Sequence, residues 1–190
     1  MSQNRYTGVA IALHWLVALG MVGNVVLAWV VDALPEERIR LAIDTHKSIG
    51  ITVMGLAVLR ILWRIGHRPP AWPEGVLTPT ESRLSHIVHG CLYLLMIGLP
   101  LSGWLHDSAW KAAAEHPLMI FGWFEMPRFS WVMNQAPEFK EHLHDLFGES
   151  HEVLAWGLVT LFVLHVAGAL KHQLLDRQPT LERMSLRKKG

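Results

Sequence analysis

Twelve histidines in a chain of 190 residues are the side chains best placed to do chemistry, and their spacing sorts them. Two of them, His151 and His165, sit in an apolar run, SHEVLAWGLVTLFVLHVAGALKH, at 150–172. At about 100° per residue the second ring returns to within roughly 40° of the first, about 21 Å further along a helix. One helix face therefore carries two imidazoles at two depths. Ala155, Leu158 and Phe162 lie between them, with Gly168 and Ala169 beyond, so apolar and small residues surround both rings. Such surroundings suit a flat, bulky, apolar ligand better than a bare ion.

The composition says what must position these rings. Apolar residues make up 51% of the chain and charged residues 17%, with a mean hydropathy of +0.26, which is too apolar for an ordinary soluble domain. Four segments reach the roughly 20 residues needed to cross a bilayer: 8–31, 40–65, 84–106 and 150–172. The first is read as a retained span, because no A-x-A-like cleavage site follows it. The expectation is one all-α domain over 1–190, an integral membrane up-and-down four-helix bundle. It has an outer loop at 107–149 and a basic tail at 173–190 that favours anionic lipid headgroups.

Eleven of the seventeen Lys and Arg residues fall on the side of the termini, which predicts both termini in the cytoplasm of a bacterial inner-membrane protein. The outer loop holds Trp110, Trp123, Phe124, Phe129 and Trp131 and reads as an interfacial segment over the outer end of the bundle. The single Cys91 excludes iron–sulfur chemistry and cysteine zinc sites. No nucleic-acid partner is expected.

Depth then pairs the histidines. His14 lies about as far into the first helix from the inside as His165 lies from the inner end of the fourth. His46 and His151 are level near the outside. Two pairs stacked about 20 Å apart are what two six-coordinate b-type haems require, with protein imidazoles in the axial positions. His89, at about the depth of His14, remains open as its replacement, and His86 lies beside it on the third helix. His67, His106, His116, His142, His144 and His172, in loops or at helix ends, are assigned solvated surface roles. A metal transporter is the non-haem alternative, but no Asp or Glu lies near the middle of any span to complete such a site.

Several motifs together carry a family resemblance. They are R-Y-x5-A-L-H-W at 5–15, T-H-K-S-I-G at 45–50, H-x2-H-x3-Y-L-L-x-I-x-L-P at 86–100, F-G-x3-M-P at 121–127 and H-E-x12-H at 151–165. With these the chain resembles the bacterial cytochrome b561 family of four-helix, two-haem membrane cytochromes. The resemblance implies that His14 with His165 ligates the inner haem and His46 with His151 the outer one. It also implies a superoxide oxidase-like activity, in which superoxide is oxidised outside and ubiquinone is reduced. The alternative is a haem-bearing relay or membrane-anchor subunit that serves a partner dehydrogenase or hydrogenase.

Within that frame, Arg60 and Arg64 are candidate partners of the inner haem propionates, and Lys171 and His172 are candidate quinone contacts at the inner surface. The outer side carries twelve acidic residues against six basic ones, a field that opposes an incoming anion. Only Arg38, Arg40 and Lys47, grouped around His46, could form a positive entrance for superoxide.

Overall fold

The computed structural model describes residues 5–71 and 76–185. Arg187, Lys188 and Lys189 of the expected basic tail lie outside the described residues. Helix α1 spans Gly8–Val30 and runs into a 3-10 turn at Val31–Ala33. Helix α2 spans Glu36–Gly66 and α3 spans Pro79–Ala109. A two-stranded hairpin follows, β1 Met119–Ile120 and β2 Phe124–Glu125, then a one-turn helix α4, Ser130–Met133. Helix α5 runs Pro137–Leu170 and continues into a π-helical turn, Lys171–Leu175, before the short α6, Thr180–Arg183.

Local chemistry sets the helix starts. Thr7 caps α1, its hydroxyl accepting from the Ala10 N–H. Thr78 and Glu81 form a reciprocal capping box on α3, with Pro79 at the first helical position, where its missing N–H costs nothing. Pro137 starts α5 in the same way. Pro100 lies inside α3 without ending it. The carbonyl of the preceding Leu99 accepts from Ser102 Oγ at 2.8 Å, a local bond made within the bundle.

Among the described residues, four helices are long and apolar enough to cross a membrane. Their large side chains point outward, Leu19, Leu94 and Val153 among them, which is the arrangement lipid permits and water penalises. Helix α1 packs on α2, α2 on α3, and α3 most extensively on α5, whereas α1 and α5 make no comparable backbone packing. Side chains bridge that seam instead, with Trp29 against Trp156 and His14 beside His165.

Both ends of the described chain meet at one end of the bundle. The Tyr6 N–H donates to the Arg183 carbonyl, Trp15 Nε1 donates to the Met184 carbonyl at 2.8 Å, and the Arg183 guanidinium donates to Pro70 O. By the topology expected from the sequence this end is labelled inner, and the opposite end, with the hairpin and α4, is labelled outer.

The helix bounds correct the expected ones. Helix α5 begins thirteen residues before 150, so the excursion between the long helices is confined to 110–136 rather than 107–149. The stretch 137–149, PEFKEHLHDLFGE, is too charged to read as a span, yet it holds helix because Leu143 is buried against Ala109 and Val132. Helices α2 and α3 likewise extend beyond their apolar cores. The aromatic loop divides in two. Trp123, Phe124 and Trp131 are exposed, while Phe129 packs on Trp104 and Trp110 turns toward Arg40 and Lys47.

Candidate functional site

Two groups of histidines converge inside the bundle, one near each end. In the outer group, α2 supplies His46 and α5 supplies His151, with ring centres 6.1 Å apart. Their Nδ1 atoms are held by main-chain carbonyls. His46 Nδ1 lies 3.2 Å from Asn24 O on α1, and His151 Nδ1 lies 3.0 Å from Leu99 O on α3, with Ser102 Oγ at 3.1 Å. A carbonyl accepts only, so each Nδ1 carries the proton and each Nε2 keeps its lone pair.

An iron held by two imidazoles, with each nitrogen about 2 Å away and each ring centre roughly another ångström behind, needs ring centres about 6 Å apart. The outer pair meets that requirement. The space around it also fits, because a cavity of 690 Å³ surrounds the two rings and is bounded by all four spanning helices. A side chain at Gly103 would remove part of it, since a Cβ there would stand 2.9 Å from His151 Cε1.

The inner group is a triad. His14 of α1 and His165 of α5 have ring centres 6.2 Å apart, matching the iron requirement, while His89 of α3 lies 5.0 Å from His165, too close to share an iron between them. Polar partners rank the rings in the opposite order. His89 Nδ1 is 2.6 Å from Ser85 O, which leaves its Nε2 free. His14 Nδ1 is 2.6 Å from Arg60 Nη1, and a guanidinium only donates, so the proton of His14 sits on Nε2. For His14 Nε2 to bind a metal, Arg60 must withdraw. Arg60 is also tied to Tyr93 Oη at 2.9 Å, and Arg64 lies over the Tyr93 ring. His86 is exposed and bonded to its own turn at Ser82 O.

The candidate entrance residues are largely paired. Arg40 Nε lies 3.0 Å from Asp44, and Lys47 Nζ lies 2.6 Å from Asp107 and 3.7 Å from Asp44. Both basic residues line the outer cavity. Arg38 is exposed and forms no side-chain ion pair among the described residues. Asp107 is only 5% exposed and is held on its other oxygen by Arg128 at 2.8 Å, itself 5% exposed. Arg128 also donates to the carbonyls of Ala113 and His116, which ties the outer loop to the bundle. Lys171 and His172 are engaged as well. Lys171 Nζ is 2.8 Å from both Glu81 and Asp176, and His172 Nδ1 is 2.7 Å from Asp176. The hydrogen bond from Lys171, followed by that from His172, holds the Asp176 carboxyl below its ordinary range.

Two histidines assigned to the solvated surface are corrected. His106 and His144 line the outer cavity with ring centres 3.9 Å apart, and His106 Nδ1 donates to the His144 carbonyl at 2.8 Å. Gly148 allows the contact, since its Cβ would lie 3.0 Å from His106 Cε1. His144 falls on the extra helical turns of α5, and His106 is the last residue of the expected third span; the extension of α5 brings the two rings together. Asp107, Arg128 and Asn24 were also missed. The run H-D at 106–107 beside an aromatic loop was the available signal, but its partners are remote in sequence.

A family model described as prokaryotic cytochrome b561 matches residues 5–185. "Cytochrome b561 homolog 2" of Escherichia coli (strain K12) is 34% identical over 182 residues, covering 95% of this chain and 90% of that protein. "Probable superoxide oxidase CybB" of Yersinia pestis is 29% identical over 195 residues, covering 98% of each. "Cytochrome b561 homolog 1" of Escherichia coli (strain K12) is 24% identical, covering 98% of this chain and 99% of that protein.

Proposed function

The chain belongs to the prokaryotic cytochrome b561 family of membrane electron-transfer proteins, and from that premise we propose that it binds two b-type haems and oxidises superoxide on the outer side while reducing ubiquinone. The observation that carries this reading is the pair of cross-bundle histidine contacts, at 6.1 and 6.2 Å, each of the length a shared iron requires. His46 with His151 would hold the outer haem and His14 with His165 the inner one, with both termini in the cytoplasm of a bacterial inner-membrane protein.

Haem b, when bound, supplies reversible one-electron chemistry. The protein's part is to orient and to insulate. Asn24 O and Leu99 O fix the tautomer and ring plane of the outer ligands. The apolar walls exclude water from the span. Arg60 and Arg64 would match the carboxylate groups of an inner haem with guanidinium. Arg40 and Lys47, on the cavity wall beside Trp110, provide the cationic rim for an anionic substrate, offset in part by Asp44 and Asp107. In the overall reaction two superoxide anions become two molecules of O2, and one ubiquinone takes up the two electrons with two protons.

The test is to add superoxide to the purified, haem-loaded protein with a short-chain ubiquinone analogue. One quinol formed per two superoxide consumed, with no other protein present, is the expected result. The exposed aromatic hairpin, with Trp123 at 86% exposure, favours a second reading, a relay subunit that docks a partner dehydrogenase or hydrogenase. Haem reduction by superoxide that stops short of quinol would select that reading.

A further inference from the structure

Of the four helices long enough to span, α2 has the shortest uncharged stretch. No Asp, Glu, Lys or Arg falls within 48–59, about 18 Å of helix, whereas the corresponding runs of α1, α3 and α5 are 6–31, 84–106 and 153–170. A bilayer core of about 30 Å asks for roughly 20 residues. Because α2 ends at Gly66, any such stretch within it begins no later than about residue 47. Ser48 therefore lies within the thickness of the hydrocarbon core.

The hairpin is fastened to α2 at this depth. The hydroxyl of Ser48, a residue only 1% exposed, accepts from the Phe121 N–H at 2.9 Å and lies 3.4 Å from Met119 O, and β1 packs along α2. The turn is paired within itself, the Trp123 N–H donating to Ile120 O at 3.0 Å and the Met126 N–H to Leu118 O at 2.8 Å. Non-helical backbone at the edge of a membrane requires such pairing. Leu118 and Ile120 are buried, whereas Phe121, Trp123 and Phe124 are exposed and line no part of the outer cavity. Phe121 holds φ at 50° before Gly122 at 73°, in a turn where Asn-Gly is usual. A bulky residue rarely adopts that backbone, so its presence there points to a use for the ring. Leu41, further out along α2, is 70% exposed, so the apolar outer surface continues past the level of the hairpin.

We propose that the hairpin tip is a lipid-contact element: Phe121, Trp123 and Phe124 lie in the outer headgroup layer against the flank of α2 and supply the apolar height that its short uncharged run lacks. The occupant of this surface is the bilayer. Aromatic rings suit that boundary, with an apolar body and tolerance of the polar layer. The collar they form relieves a mismatch that would otherwise thin the bilayer around α2. Its place is the side of the bundle at α2, not the top expected from the sequence. This placement requires only that α2 cross the membrane, whichever substrate the chain serves.

The experiment is site-directed spin labelling of the haem-loaded full chain in phosphatidylcholine nanodiscs, with Cys91→Ser to leave a single thiol. Nitroxides are placed through Trp123→Cys and, with all three rings retained, through Glu125→Cys. Leu94→Cys marks the lipid-facing surface of α3, and Glu138→Cys marks the exposed start of α5. Power saturation compares access by oxygen, which concentrates in lipid, with access by a water-soluble nickel chelate. At 123 and 125 the oxygen-to-nickel ratio is expected to be several-fold above that at 138 and below that at 94. A ratio equal to that at 138 would put the hairpin in water and overturn the proposal. Loss of access to both reagents would show protein covering the surface, a second copy or a docked partner, and would overturn it equally. The Soret spectrum of each labelled sample shows that it is folded, and Glu125→Cys carries the test alone should Trp123→Cys fail to fold.

Discussion

The two ends of the bundle solve one coordination problem differently. At the outer end, both imidazoles are locked by main-chain carbonyls from helices other than their own, Asn24 O on α1 and Leu99 O on α3. Their Nε2 atoms are ready for a metal, and the surrounding cavity is formed. At the inner end, one imidazole of the well-spaced pair is occupied by Arg60, and a third histidine crowds the other. A carbonyl acceptor fixes a tautomer permanently, because the backbone cannot swing away. A guanidinium on a flexible stem can move, so the inner site has an adjustable charge where the outer one has a rigid frame. Rigid second partners preserve ligand geometry, and mobile charges tune it.

The largest test of this contrast is removal of the ligands. His46→Ala and His151→Ala should each lose the same haem, and His14→Ala and His165→Ala the other, halving the haem-to-protein ratio measured by pyridine haemochrome. His89→Ala should keep both haems, as its 5.0 Å approach to His165 predicts. Loss of a haem in His89→Ala with retention in His14→Ala would reverse the inner assignment.

Next comes the frame of the outer end. Asp107→Asn leaves Arg128 and Lys47 without their shared carboxylate in a buried setting, at a cost of about 3 to 5 kcal/mol. A fall in the thermal midpoint should be accompanied by release of the outer haem before the inner one. A smaller effect is expected at Arg60. Arg60→Leu removes a positive charge from beside His14, so the inner reduction potential should fall by on the order of 100 mV while the outer one stays put. Redox titration followed by optical absorption separates the two. Smallest is Gly103→Ala, in which the added methyl forces His151 to shift and costs about 1 to 3 kcal/mol. Its signature is a change in the outer haem's low-spin EPR signal with the inner signal intact.

The histidine pairs were legible because a helix has a fixed rise and turn. His14, His46, His151 and His165 could be placed by depth from the ends of apolar runs without knowing how the helices pack. Capping was legible for a similar reason, since Thr78 and Glu81 act within one turn. The tilt of charge along 137–149 hid the first thirteen residues of α5, because hydropathy detects burial in lipid and not burial against Ala109 and Val132. His106 and His144 followed that error. Their rings meet because α5 begins early enough to carry His144 alongside His106 at the end of the expected third span. The Arg40, Lys47 and Lys171 candidates were found by sign and position; of their neutralising partners Asp44 and Asp176 are local in sequence, whereas Asp107 and Glu81 come from another helix and depend on packing.

The amino-acid order alone determined four helices long and apolar enough to span a membrane and two levels of paired imidazoles. These follow from residue hydropathy and the periodicity of a single helix, which are properties of the chain taken one segment at a time. Tertiary structure alone decided which carbonyl orients each ring, that Arg60 contests His14, and that α1 and α5 stand apart without close backbone packing. Those outcomes depend on the rotation and separation of one helix relative to another, set by many small side-chain contacts acting together rather than by any local signal.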